Sequence, residues 1–172
     1  MYKLLPDPKQ RILVYSSDGD ADMMLRFSGA EGEQIERPLM VVFDSEINGY
    51  IADFMYLGNM KFLIRPDLAR QLKIEVEGFD LIPAKCDFQD CFYVNVFMVS
   101  DEFDVENSQL KRFTTGRIQD IVIHKWRKVE QVNRTRLFKL KNMESIGIYC
   151  DDSFRSFYLN NGWSGIMFQE AS

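Results

Sequence analysis

Histidine occurs once in the 172 residues, at position 124, and cysteine three times, at 86, 91 and 150. Three unevenly spaced cysteines do not make a disulfide framework, so the thiols are expected to stay reduced. No apolar run approaches the ~20 residues of a membrane-spanning helix. The opening stretch MYKLLPDPKQ lacks an apolar h-region ahead of a small-residue cleavage site, so the cytoplasm is the expected compartment. There is no glycine-rich phosphate loop, no Gly-x-Ser-x-Gly elbow and no His–Glu helix pair. No catalytic residue, resident metal or cofactor is therefore expected.

What is present describes an ordinary globular chain, 46% hydrophobic and 27% charged. Its length suits one domain over 1–172. The net charge of −5 is unevenly spread. Residues 1–110 hold 20 acids and 10 bases, whereas 111–172 hold 6 acids and 11 bases. If the halves do not interleave in space, the molecule has two electrostatic faces.

Short apolar runs set off by turn residues dominate. Strands are expected at 2–5, 11–16, 24–28, 39–43, 61–64, 80–84, 92–99, 118–126 and 135–140, with closing strands at IGIYC and 165–169. Pro66 opens a short helix over DLARQL. Residues 45–56 are ambiguous: Ile47, Tyr50, Ile51 and Phe54 have helical spacing, but Gly49 weakens a helix. Two stretches echo one another as strand, short helix, glycine, strand. In one, Leu68 and Leu72 precede Gly78; in the other, Phe154 and Tyr158 precede Gly165. The expected fold is α+β, with short strands in a mixed, largely antiparallel sheet and two or three short helices.

The second of those stretches, IYCDDSFRSFYLNNGWSG, places Cys150 before a helix start, where a thiol can become a nucleophile. The residues also have plain structural uses. Phe154, Phe157 and Tyr158 make one apolar stripe. Asp151 or Asp152 is placed to cap the helix, and Asn160, Asn161 and Gly162 to end it. Two adjacent carboxylates oppose thiolate formation, so Cys150 reads as a buried structural thiol, with His124 as its one conceivable base.

Asp18, Asp20 and Asp22 have calcium-loop spacing. Met23 then stands where the loop must turn and Gly29 where the closing Glu belongs, so an EF-hand is excluded and an acidic hairpin loop expected. Cys86, Cys91 and Cys150 lack zinc-site count and spacing. Lys125, Arg127, Lys128, Arg134, Arg136, Lys139 and Lys141, interleaved with Trp126 and Phe138, have the composition of a nucleic-acid groove or of two solvated strands.

The order of motifs goes further. FYVNVFMVSDEFDVENSQLKRFTTGRIQDIVI holds Tyr93 and Asn95, then Asp101, Asp104, Glu106 and Ser108, then Gly116, Ile118 and Ile121. RLFKLKNMESIGIYCDDSFRSFYLNNGWSGIMFQE follows, and Asp53-Phe54 with KFLIRPDLARQL precedes. This succession resembles a bacterial immunity-protein family from polymorphic toxin loci, over most of residues 50–170. Cys150-Asp151 and Arg65 stand where that family more often has Ser at helix starts, and Lys139 replaces its usual Arg. The resemblance implies a non-enzymatic protein that binds a cognate antibacterial toxin in the cytoplasm and occludes its active site. The toxin's identity does not carry over.

On the charge pattern, the toxin-binding surface is expected among the acidic loops: Asp18, Asp20, Asp22, Glu31 and Glu33, with Asp87 and Asp90. A basic toxin would fit such a surface, with no membrane and no nucleic acid as partner. The rival readings are a small enzyme centred on Cys150 and a nucleic-acid module over 124–141.

Overall fold

The structure, a computed structural model, describes residues 1–58, 60–87, 89–127 and 135–171. Its elements run β1 (Tyr2–Pro6), β2 (Leu13–Tyr15), α1 (Asp18–Arg26), β3 (Leu39–Phe43), β4 (Phe54–Tyr56), β5 (Phe62–Ile64), α2 (Pro66–Glu75), β6 (Phe79–Cys86) and β7 (Gln89–Val96). They continue β8 (Val99–Ser100), β9 (Gln109–Arg112), β10 (Ile118–Ile123), β11 (Leu137–Leu140), β12 (Tyr149–Cys150), α3 (Asp152–Asn160) and β13 (Ile166–Glu170). The strands form a six-stranded sheet, β2-β3-β6-β7-β5-β4, a five-stranded sheet, β13-β1-β12-β11-β8, and the ribbon β10-β9. Among the described strands, β3–β6 and β11–β8 pair in parallel and the other pairs are antiparallel. The fold is α+β with mixed, largely antiparallel sheets, as the sequence leads one to expect.

The sequence echo is a structural repeat. β5 and β6, joined through α2, flank β7 and run antiparallel to it. β12 and β13, joined through α3, flank β1 in the same way. Each is a βαβ unit split by an antiparallel strand. Leu68 and Leu72 of α2 and Phe154 and Tyr158 of α3 are all buried in one inner core cluster. Gly78 and Gly165 take φ of +92° and +104°. A Cβ on Gly78 would lie 2.2 Å from the Leu137 carbonyl oxygen, and one on Gly165 would lie 2.2 Å from that of Phe54. The close approach is therefore to a neighbouring strand's backbone, which only glycine admits.

Period-two alternation sorts the remaining side chains onto three levels. Phe54, Ile64, Val94 and Val96 of one sheet meet Leu4, Leu137, Cys150 and Ile166 of the other in the inner cluster. The outer face of the six-stranded sheet carries Leu13, Leu39, Val41, Leu63, Ile82 and Tyr93, covered by Met24 of α1. The outer face of the five-stranded sheet carries Phe138, Leu140 and Tyr149, covered by Phe103 and by Ile121 of the ribbon.

Two local expectations are corrected and one ambiguity is resolved. Residues 24–28 are not a strand, and 18–22 is not a hairpin loop; both belong to α1 and its exit. The cause is legible afterwards. Ser17 is the N-cap, accepting from the Asp20 N–H, and its hydroxyl also donates to the Asp20 carboxylate at 2.5 Å. Residues 45–53 are not helical; Tyr50 bridges Gln10, and only Phe54–Tyr56 becomes a strand. The ribbon strand β9 had no separate apolar signal, since three of its four residues are exposed.

α3 begins as expected, with the Asp151 carboxylate accepting from the Phe154 N–H at 2.8 Å. α2 has Pro66 in its first turn and no side-chain cap; Arg65 instead reaches Asp53 at 2.8 Å. Asp53 in turn accepts from the Ser164 N–H at 3.0 Å and hydroxyl at 2.8 Å, and the Phe54 N–H donates to the Ser164 carbonyl at 2.9 Å. The Asp53-Phe54 pair thus ties the two repeats together.

Candidate functional site: an acidic face with two grooves

The three levels decide where the charges lie. Residues 17–37 hold six acids and two bases and sit on the outer face of the six-stranded sheet. Lys111, Arg112, Arg117, Lys125 and Arg127 are exposed on or beside the ribbon, beyond the outer face of the five-stranded sheet. The Asp120 carboxylate there is taken by Lys3 at 3.1 Å. The acidic loop and the ribbon's cations therefore occupy opposite outer faces, although Asp101 and Asp104 stand beside Arg127 and Lys125, so the two halves of the sequence interleave on the ribbon side.

The acidic face is built, not merely solvated. Asp20 is 2% exposed. Its carboxylate accepts from Arg37 at 2.6 Å, Ser17 at 2.5 Å, Ser16 at 2.9 Å and the Met40 N–H at 3.2 Å. Burial alone would raise its pKa; these donors outweigh burial and hold it at about 2. Asp20 is thus a clamp between α1, residue 37 and β3, and is removed from the exposed set to which the sequence assigned it. The following loop is pinned from below by a cross-strand pair. Asp80 accepts from the Gly32 N–H at 2.7 Å, and the Asn95 amide donates to the Gly29 carbonyl at 3.2 Å. Glu33 closes the loop on itself, accepting from the Ser28 hydroxyl and N–H, which lowers its pKa.

The fixed loop leaves a cleft of ≈ 310 Å³ against α1. Asp22 and Glu33, two of the expected residues, line it together with Glu36, Arg26 and Arg37 over an apolar floor of Met23, Phe27 and Ile35. Asp18 and Glu31 are exposed nearby but do not line it. Asp87 and Asp90 belong to a second groove, of ≈ 180 Å³, lined also by Phe43, Met55, exposed Ile51 and Arg65. Asp90 there lies 3.6 Å from Lys85. Both linings draw on the cluster beneath the same sheet face, so both grooves open on the same side. Sequence reasoning missed Glu36, Arg37, Asp80 and Asn95 as parts of this site. Only Asn95 had drawn notice, through the resemblance, and nothing local marks Asp80 as the anchor of a loop 48 residues earlier.

The rival centres do not assemble. Tyr149 and Cys150 are adjacent on β12, so their side chains point to opposite sides of the sheet. His124 packs with Tyr149, its Nε2 3.3 Å from the Tyr149 hydroxyl, whereas Cys150 lies in the inner cluster. The sheet separates the supposed base from the supposed nucleophile. Burial, reinforced by Asp151, pushes the Cys150 thiol far up. Burial likewise raises Cys86 to about 11 and Cys91 to about 12. Among the described residues no group of three or more His, Cys, Asp or Glu is placed to hold a metal ion.

In the basic stretch, Lys128 and Arg134 lie outside the described residues. Phe138 is fully buried, and the Trp126 indole donates to the Ala171 carbonyl at 2.5 Å, so neither ring is a free stacking platform. Arg136 is drawn inward to Glu102 at 2.8 Å and Asp151 at 3.6 Å. Among the described residues no helix is long and apolar enough to cross a membrane. No protein-family model matches the chain, and no curated protein matches it in sequence.

Proposed function

We propose that this chain is an immunity protein that captures a basic antibacterial toxin on the acidic face of its six-stranded sheet and occludes the toxin's active site, acting in the cytoplasm of the producing cell. The observation that carries this reading is the polar investment in that face. A carboxylate is buried with four donors, and a cross-strand Asp–Asn pair pins a surface loop, so that the acidic-rimmed, apolar-floored cleft beside α1 is held ready. Rigid surfaces of this kind lose little entropy on association and steer a partner of opposite charge. The order of family-like motifs points the same way.

Occlusion needs no chemistry from this chain, only shape, charge and slow release. The test is protection. The gene adjoining this one is tested as the toxin by inducing it in a host with and without this chain. Growth restored by the unmodified chain, and lost when Asp18, Asp22 and Glu36 are all changed to Lys in a protein that remains folded, supports the reading. Toxicity that is unaffected by this chain refutes it.

A further inference from the structure

We propose that the cleft between α1 and residues 33–37 is the socket for one basic side chain of the partner, an arginine or lysine lying along the cleft floor. This rests on the capture reading above and names the group that the acidic face selects. The floor is apolar and half-buried, formed by Met23, Phe27 and Ile35. Long basic side chains lay their methylene stems on such surfaces and keep the charged head at the rim, and an aromatic face such as that of Phe27 attracts a cation. At the rim stand the exposed carboxylates of Asp22 and Glu36.

The cations already present do not cancel them. Arg37 is held at 2.6 Å by buried Asp20, so its charge is answered from inside the protein. Arg26 is an exposed cation one turn from Asp22, but with Asp20 counted the carboxylates of Asp22, Glu33 and Glu36 still outnumber Arg26 and Arg37 by four to two. The cleft's ≈ 310 Å³ is room for one long side chain. Its walls are fixed by the Asp20 clamp and the Asp80–Asn95 pins, so little ordering is left to be done on binding.

The test separates charge from shape. The protein is titrated with N-acetyl-arginine methylamide and with the matching citrulline derivative, which has nearly the same shape and no charge, while the Met23 and Ile35 methyl resonances are followed by NMR. The socket predicts saturable shifts at both methyls and about tenfold weaker binding of the citrulline compound. The Asp22→Asn/Glu36→Gln double variant leaves the Asp20 clamp and both pins intact, and it should abolish that difference. Equal binding of the two compounds, no shift at either methyl, or shifts centred on the groove at Asp87 and Asp90 overturns the socket. The capture reading is judged separately with the adjoining gene's product. If unmodified protein binds it and the double variant binds equally well, the socket falls and capture stands; if unmodified protein does not bind it, capture falls.

Discussion

The Arg37 guanidinium meets the buried Asp20 carboxylate at 2.6 Å, and through this contact the wall of a surface cleft is fastened to the start of a helix and the edge of a core strand. A carboxylate with a folded-state pKa of about 2, against an ordinary value near 3.9, favours the folded state at neutral pH by about 2 kcal/mol. The lowered pKa fixes the sign. That stability is present above about pH 4 and is lost as the pH falls toward 2. Asp20→Asn should therefore lower stability near neutrality by about 2 kcal/mol and flatten the acid limb of a denaturant-derived stability profile. An unchanged limb would remove the clamp from the account.

His124 gives a second, separate pH window. Its ring is buried between Tyr149 and Trp126, and burial, then Lys3, lowers its pKa. The unfolded chain then takes up the proton first, so stability should decline as the pH falls below about 6.5. The decline should be absent from His124→Phe. A His124→Phe profile superimposing on that of the unmodified protein between pH 7 and 5 would contradict this.

The two repeat glycines should be the least replaceable of their type. Gly165→Ala puts a Cβ 2.2 Å from the Phe54 carbonyl oxygen at a φ of +104°, whereas Gly162, at +66°, has nothing within 4 Å. Gly162→Ala should cost about 1 kcal/mol of left-handed strain. Gly165→Ala should cost several times more or prevent folding, as read by thermal melting. Equal costs would mean that the strand approach is not what selects glycine there.

Cys150 should behave as packing. Cys150→Ala should cost about 1–2 kcal/mol for the lost buried side chain and leave toxin protection intact. The native thiol should resist alkylation at pH 8, because burial raises its pKa. Loss of protection in a folded Cys150→Ala protein would reopen the enzyme reading.

The repeat was legible in the sequence because its signals are local: Pro66 at a helix start, Asp151 as a cap, apolar pairs at i and i+4, and a glycine before each returning strand. α1 was misread because its first turn holds two aspartates and a glycine, a loop-like composition, and the capping spacing of Ser17 and Asp20 was outweighed by it. Charge asymmetry was legible; where the charges fall in space was not, since β1 and β8 of the first half join the five-stranded sheet with β11, β12 and β13 of the second. The pins were illegible for the same reason. Asp80 and Asn95 become partners of Gly32 and Gly29 only once β6 and β7 pass beneath the loop.

The central claim is capture of a basic protein by the acidic face, and association kinetics test it most directly. The purified chain is mixed with the adjoining gene's product across a salt series. The account predicts a tight complex whose association rate falls steeply as salt screens attraction over ~8–10 Å, with little change in dissociation. Reversal of Asp18 and Asp22 to Lys should slow association without unfolding the protein. No complex at low salt would contradict the capture itself, and an association rate indifferent to both salt and the reversed charges would contradict the acidic face as the surface that performs it.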